Sequence, residues 1–138
     1  MTVEEQNTAL VQRWVQQVFN KKEWKEVEDI KDPVSYHSHN PFPGTTPNLN
    51  GFKSAFSQVL TAFPDFSFTI DEVVAKGDVV VVRGTWTGTH KGVYMGVQPT
   101  GKQVSVSRID MLRVSGGKIV EHWGFGDDWH KIRSLAAR

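Results

Sequence analysis

The 138-residue chain contains no cysteine, is 38% hydrophobic and 22% charged, and sets 16 Lys and Arg against 15 Asp and Glu for a formal net charge of +1. That length fits one domain with a core of its own, and the composition excludes a disordered chain. The scattered charge argues against nucleic acid as a partner, the lack of cysteine removes disulfides, thiol catalysis and Cys-bound metals, and no stretch approaches the ~18 apolar residues of a membrane span, so the expectation is a soluble cytoplasmic protein.

Residues 2–20 read as a helix. Thr2 is placed to cap it with Glu5 three positions on, and Leu10, Val11, Trp14, Val15, Val18 and Phe19 recur at helical spacing. Residues 23–30 read as a shorter helix with Trp24, Val27 and Ile30 on one side, ended by Asp32-Pro33. A short extended segment over 34–40 carries His37 and His39 at alternate positions. Residues 41–50, rich in Pro, Gly, Thr and Asn, form a loop. A third helix over 51–63 has Phe52, Phe56, Val59, Leu60 and Phe63 as its apolar stripe and stops at Pro64.

The period then changes to two. Phe66, Phe68 and Ile70 alternate with polar residues, and Lys76-Gly77-Asp78 makes a turn. Strands follow over 79–89, 102–114 and 118–125. A loop over 92–101 separates the first two, and a Ser115-Gly116-Gly117 turn the last two. His90 closes its strand as a loop residue, and residues 129–137 are assigned a terminal helix. Helices first and strands after argue for α+β, with helices on one face of an antiparallel sheet. Both faces look partly apolar, so the uncovered one suits a homodimer.

Alternation puts Val106, Arg108, Asp110 and Leu112 on one side of the penultimate strand, and Val120, His122 and Gly124 on one side of the last. The hairpin turn makes Asp110 and His122 neighbours, with Arg108 beside them. Two readings stand side by side: a general acid/base pair in a pocket, or an ion-pair cluster on a solvated sheet face. His37 and His39 invite a metal, but a two-residue signal lacks its third ligand, and His39 fits the polar lining of a pocket mouth better. Trp14 and Trp86, the latter between Gly84 and Gly88, suit either an aromatic-lined cavity or plain core. No phosphate-cradling glycine loop, dinucleotide fingerprint or nucleophile elbow is present.

Four segments carry a resemblance. They are Tyr36-His37-Ser38-His39-Asn40-Pro41; Gly51-Phe52-Lys53 through Ala62-Phe63-Pro64-Asp65; Gly88-Thr89-His90 through Pro99-Thr100-Gly101-Lys102; and Ile109-Asp110 through Gly117-Lys118-Ile119-Val120-Glu121-His122-Trp123. In this order, over roughly residues 5–135, the chain resembles the SnoaL-like polyketide cyclases, also called ester cyclases, of the NTF2-like superfamily. The resemblance implies a cone-shaped barrel, a curved antiparallel sheet covered by three N-terminal helices. It further implies an internal pocket for a small hydrophobic organic ligand, a dimer, and neither cofactor nor metal. It implies acid/base chemistry: a proton leaves a carbon next to a carbonyl, and the enolate cyclises or isomerises in a water-poor pocket.

Carried over residue by residue, the cyclase histidine of the last strand falls on His122 and a second histidine on Asp110. The polar residue of the early strand falls near Ser38 or His39. The catalytic aspartate, two residues after the last-strand histidine, falls on Gly124, which cannot move a proton. Asp110 is then the expected base, with His122 and His39 donating hydrogen bonds or relaying protons and Arg108 orienting Asp110. Trp14, Tyr36, Phe52, Phe56, Trp86, Arg108 and Gly124 are the expected substrate-binding positions. The glycine also leaves open a pocket protein that binds without chemistry.

Overall fold

The computed structural model describes residues 1–136, and helices come first and strands after. Helix α1 (Val3–Arg13) begins at a capping box, in which the Thr2 hydroxyl accepts from the Glu5 N–H and Glu5 Oε1 from the Thr2 N–H, each at 3.1 Å. The single α-helix expected over 2–20 does not run through. At Trp14 it widens into a π-helical segment, Trp14–Asn20. The wider turn sets residues five apart on one side, so Trp14 and Phe19 pack edge to face with centroids 5.7 Å apart.

The second predicted helix shrinks to a 3₁₀ turn, Trp24–Glu26, and one α turn, α2 (Val27–Ile30). Only Val27 and Ile30 of this stretch are buried, and Asp32 stops it. The Asp32 carboxylate accepts from the Val34 and Ser35 N–H groups at 2.9 and 3.1 Å, which folds the chain into an Asx turn. Helix α3 (Leu49–Ala62) starts two residues earlier than the stripe predicts. The Asn48 side chain caps it, accepting from the Gly51 N–H at 3.0 Å.

The strands are β1 (His37–Ser38), β2 (Ser67–Lys76), β3 (Val79–Thr89), β4 (Gln103–Ser115) and β5 (Lys118–Gly126), in sheet order β1-β5-β4-β3-β2. The pairings β2–β3, β3–β4 and β4–β5 are antiparallel. β1 runs parallel to β5, contrary to an all-antiparallel sheet. The two edge strands, β1 and β2, do not pair with each other, so the expected barrel is a curved but unclosed sheet. Register shifts at Ile70/Glu72 and Arg113/Val114 mark irregularities of the kind that bend a sheet. The second shift corrects the predicted facing of β5: Ile119, not Val120, enters the core.

The covered face carries Val80, Val82, Trp86, Val106 and Leu112, which join Val11, Val18, Phe56 and Phe63 of the helical layer in one core. His90 follows the end of β3 as the expected loop residue, but its side chain turns into the core. It is fully buried, stacks on Phe63, and holds Thr100 Oγ1 at 3.0 Å through Nδ1, while its Nε2 has no partner among the described residues. Helix α4 (Asp128–Leu135) closes the described chain, and Ala137, the expected end of that helix, lies outside the described residues.

Candidate active site

Between the helices and the covered sheet face lies a cavity of about 420 Å³. Its walls are largely aromatic: Trp14, Phe52, Phe56 and Trp86 line it, as does Tyr36 from the segment leading into β1. A polar string crosses its floor. Asp110 and Gly124 are opposite partners in the β4–β5 ladder, and Leu112 pairs with His122, so Asp110 and His122 meet diagonally on the cavity side. Their contact is 2.8 Å, His122 Nε2 to Asp110 Oδ1. Arg108, two residues before Asp110 and on the same face, donates to both its oxygens, Nη2 to Oδ1 at 2.9 Å and Nε to Oδ2 at 3.2 Å. Arg108 Nη1 also reaches Asp128 Oδ1 at 2.7 Å, and Trp86 Nε1 donates to Asp128 Oδ2 at 3.0 Å.

The protonation pattern follows from the partners. Burial pushes the Asp110 carboxyl upward more than any other single influence. The hydrogen bond from His122 and the charge and hydrogen bonds of Arg108 together outweigh it and hold Asp110 below the usual carboxylate range. Burial pulls His122 below its ordinary value, helped by the Lys31 charge and opposed by Asp110. Histidine is therefore neutral and aspartate ionised near neutral pH. An ionised carboxylate only accepts, so the ring hydrogen sits on Nε2, and Nδ1 carries the lone pair. Nδ1 lies 3.5 Å from Ser38 Oγ.

Gly124 does not enlarge the cavity. A Cβ placed there would collide with Asp110 Oδ1 and Arg108 Nη2 and lie 2.9 Å from His122 Cε1. The volume that a side chain at 124 would take is filled by the carboxylate and guanidinium from β4. Asn40 pins the glycine backbone from the β1 side, its Oδ1 accepting from the Gly124 N–H at 3.0 Å and its amide donating to the Gly124 carbonyl.

Every predicted site residue but one lines this cavity. The exception is His39. β1 turns Ser38 inward and His39 outward, where the imidazole meets Glu121 Oε2 at 2.8 Å and lies flat on Trp123 with centroids 4.3 Å apart. Among the described residues no group of three His, Asp or Glu side chains is placed to hold a metal ion.

Two charged cavity residues, Asp128 and Lys31, lie outside the predicted site. Asp128 falls just past β5, where a carboxylate at a helix start needs no second explanation. Lys31 is the larger omission. It is only 3% exposed, and its Nζ donates to Tyr36 Oη at 3.0 Å. It sits over the Trp14, Tyr36 and Phe52 rings at 4.2, 4.2 and 3.9 Å from their centroids. Burial pulls its pKa well below the lysine value, against the attraction of Asp110. A lysine directly after a short helix reads as surface. It turns inward because its backbone is extended and forms an isolated parallel bridge with Ile119, and one bridge has no periodicity to read.

The family model described as SnoaL-like polyketide cyclase matches residues 9–135. No curated protein matches the chain. Among solved structures, TsrD from Streptomyces laurentii is 24% identical over 100% of both chains with a TM-score of 0.86. IdmH from Streptomyces antibioticus, a candidate polyketide cyclase, is 26% identical over 96% of this chain and 99% of its own, with a TM-score of 0.82. AclR from Streptomyces galilaeus, a candidate hydroxylase, is 28% identical over 98% of each chain, with a TM-score of 0.79.

Proposed function

We infer that this chain, which belongs to the SnoaL-like polyketide cyclase family, is a cofactor-independent acid/base catalyst that enolises a small hydrophobic carbonyl compound for cyclisation or isomerisation. The observation that carries this is the His122–Asp110 contact inside an apolar cavity. Asp110 is already bonded by both Arg108 and His122, which makes it a poor base and a good anchor. His122 is the better proton acceptor, through Nδ1, and its imidazolium is stabilised by the carboxylate behind it. In the proposed step Nδ1 takes the proton from the carbon next to the carbonyl, and the electron pair moves onto the carbonyl oxygen. The new enolate carbon then attacks a second carbonyl in the same molecule or is reprotonated elsewhere.

The test is deuterium exchange. 1-Tetralone, an aromatic ketone with exchangeable hydrogens beside its carbonyl, is incubated with the protein in D₂O and followed by NMR. Exchange above the buffer rate is expected, falling roughly a hundred- to ten-thousandfold in His122→Gln. A His122→Gln variant that exchanges as fast as the parent sinks the assignment. The binding-only reading drew on Gly124, and the volume there is occupied rather than vacant, which weakens it.

The partner proposed for the outer sheet face is a second copy of the chain. Ile109 and Phe125 are ladder partners, 55% and 72% exposed, and the next pair is Met111 with Trp123. Beside this apolar strip Arg113 and Glu121 bring both signs of charge, so two copies related by a two-fold axis can meet there without like-charge repulsion. Sedimentation of Ile109→Asp should give a monomer where the parent gives a dimer; a monomeric parent refutes it.

A further inference from the structure

Lys31 has three N–H donors and, among the described residues, makes one side-chain hydrogen bond, to Tyr36. Among the described residues it has no carboxylate in contact: Asp110, whose charge it feels, is bonded to His122 and Arg108. Arg108 is paired with both Asp110 and Asp128, which leaves one carboxylate charge of that trio over. Lys31 is thus a cavity-lining ammonium with unused N–H donors, whose nearest counter-charge, Asp110, acts on it without touching it. Its surroundings are built for a cation, with three ring faces about 4 Å from Nζ. A buried cation without an anion is costly, and an anionic oxygen arriving in the cavity removes that cost.

The Tyr36 hydroxyl belongs to the same device. Its oxygen accepts from Lys31 Nζ, which polarises its own O–H. Burial and the nearby Asp110 charge push its pKa up, so it stays a donor. Ser38 lines the same cavity, with its Oγ 3.5 Å from His122 Nδ1. A base and a cationic donor pair therefore line one cavity.

We propose that Lys31 and Tyr36 form an oxyanion-binding pole beside His122, and that the ligand it takes is a hydrophobic carbonyl compound whose oxygen becomes the enolate oxygen. This rests on the enolisation reading and adds its second half. As His122 Nδ1 accepts the carbon-bound proton, the pair of electrons from the broken C–H bond forms the C=C bond. The carbonyl π electrons move to oxygen, and that oxygen receives hydrogen bonds from Lys31 Nζ and Tyr36 Oη. No bond to the protein forms, and no oxidant is needed. It also restricts the substrate: a purely hydrocarbon ligand, or one whose carbonyl lies far from its acidic carbon, leaves the ammonium unpaired.

The test needs no turnover. 2-Naphthol mimics an enol and reports its own ionisation by absorbance and fluorescence; naphthalene is the same shape without the oxygen. The full chain should bind naphtholate more tightly than naphthalene and should ionise bound naphthol at a lower pH than free naphthol. Lys31→Met should weaken naphtholate binding roughly ten- to hundredfold and leave naphthalene binding unchanged. Tyr36→Phe, which keeps the ring face, should weaken it by a smaller factor, and it serves as the decisive variant if Lys31→Met does not fold. Naphtholate held no better than naphthalene, including no binding of either, overturns the pole, as does an equal loss of both probes in Lys31→Met. His122→Gln separates the two ideas. Loss of ketone exchange with naphtholate preference intact leaves the pole standing; intact exchange in His122→Gln sinks the base assignment alone.

Discussion

The place where a side chain at Gly124 would begin is occupied by the Asp110 carboxylate. The two residues are ladder partners, and Asp110 Oδ1, Arg108 Nη2 and His122 Cε1 crowd the glycine Cα from the cavity side. The carboxylate that the resemblance leads one to expect at position 124 is not simply missing from β5. A carboxylate reaches the same spot from β4, and glycine at 124 is the condition for it.

Gly124→Ala tests this directly. A methyl group has nowhere to go unless the Asp110–Arg108 pair shifts, because the Asn40 amide pins the backbone on the other side. The expected cost is about 1–3 kcal/mol, typical of overpacking, read as a lower urea midpoint at unchanged slope. Ketone exchange should fall with it. An alanine variant as stable and active as the parent would mean that the cluster has slack.

The pH response follows from His122. Its folded pKa is depressed, chiefly by burial, so on acidification the unfolded chain takes up the proton first, near about 6.5. Stability therefore falls as pH drops below that value, and the loss is complete once the folded pKa is passed. Asp110 adds a second loss at lower pH, because its folded pKa also lies below its unfolded one. Exchange activity should have an acid limb below about pH 6.5. An NMR titration of His122 that places its pKa above the free-histidine value contradicts the scheme.

Asp110→Asn separates anchor from base. The amide removes the negative charge that holds His122 in one tautomer and stabilises its cation, so exchange should drop by roughly a hundred- to ten-thousandfold. Arg108 keeps Asp128, so the destabilisation should stay below the ~3–5 kcal/mol of a buried cation left wholly unpaired. Circular dichroism and a thermal melt check the fold while NMR follows exchange. Full activity in a folded Asp110→Asn protein removes Asp110 from the mechanism.

What could be read ahead of the structure divides along element length. The β4–β5 hairpin is long and closed by a Ser-Gly-Gly turn, so strand alternation suffices to bring Arg108, Asp110 and His122 to one face even though a register shift moves Ile119 inward in place of Val120. β1 has two residues, too few to carry a parity of its own. Which of Ser38 and His39 turns inward is decided by the neighbours, Trp123 and Glu121 on the outer face. The apolar spacing of Trp14 and Phe19 marks a helix but not its π widening. Lys31 lies beyond such reasoning, since its direction depends on a single bridge to a strand far along the chain.

Lys31→Met should raise stability while removing the oxyanion pole. The thioether side chain has nearly the length of lysine without its charge, suits a pocket of three rings, and leaves no cation to desolvate. Replacing buried ionic groups by apolar ones of similar size is often neutral or stabilising by about 1–4 kcal/mol, and methionine here gives up only one hydrogen bond, that to Tyr36. The pH dependence identifies the cause. Because the folded pKa of Lys31 is depressed, the unfolded chain holds the extra proton between the folded value and about 10.4, and parent stability rises with pH across that window. The methionine variant lacks this slope, so its advantage should shrink as pH approaches about 10. Urea unfolding of both proteins from pH 7 to 10 measures it. A variant less stable than the parent throughout would mean that the lysine is held by its cage at no net cost, and that the aromatic box, not an arriving anion, is its counterpart.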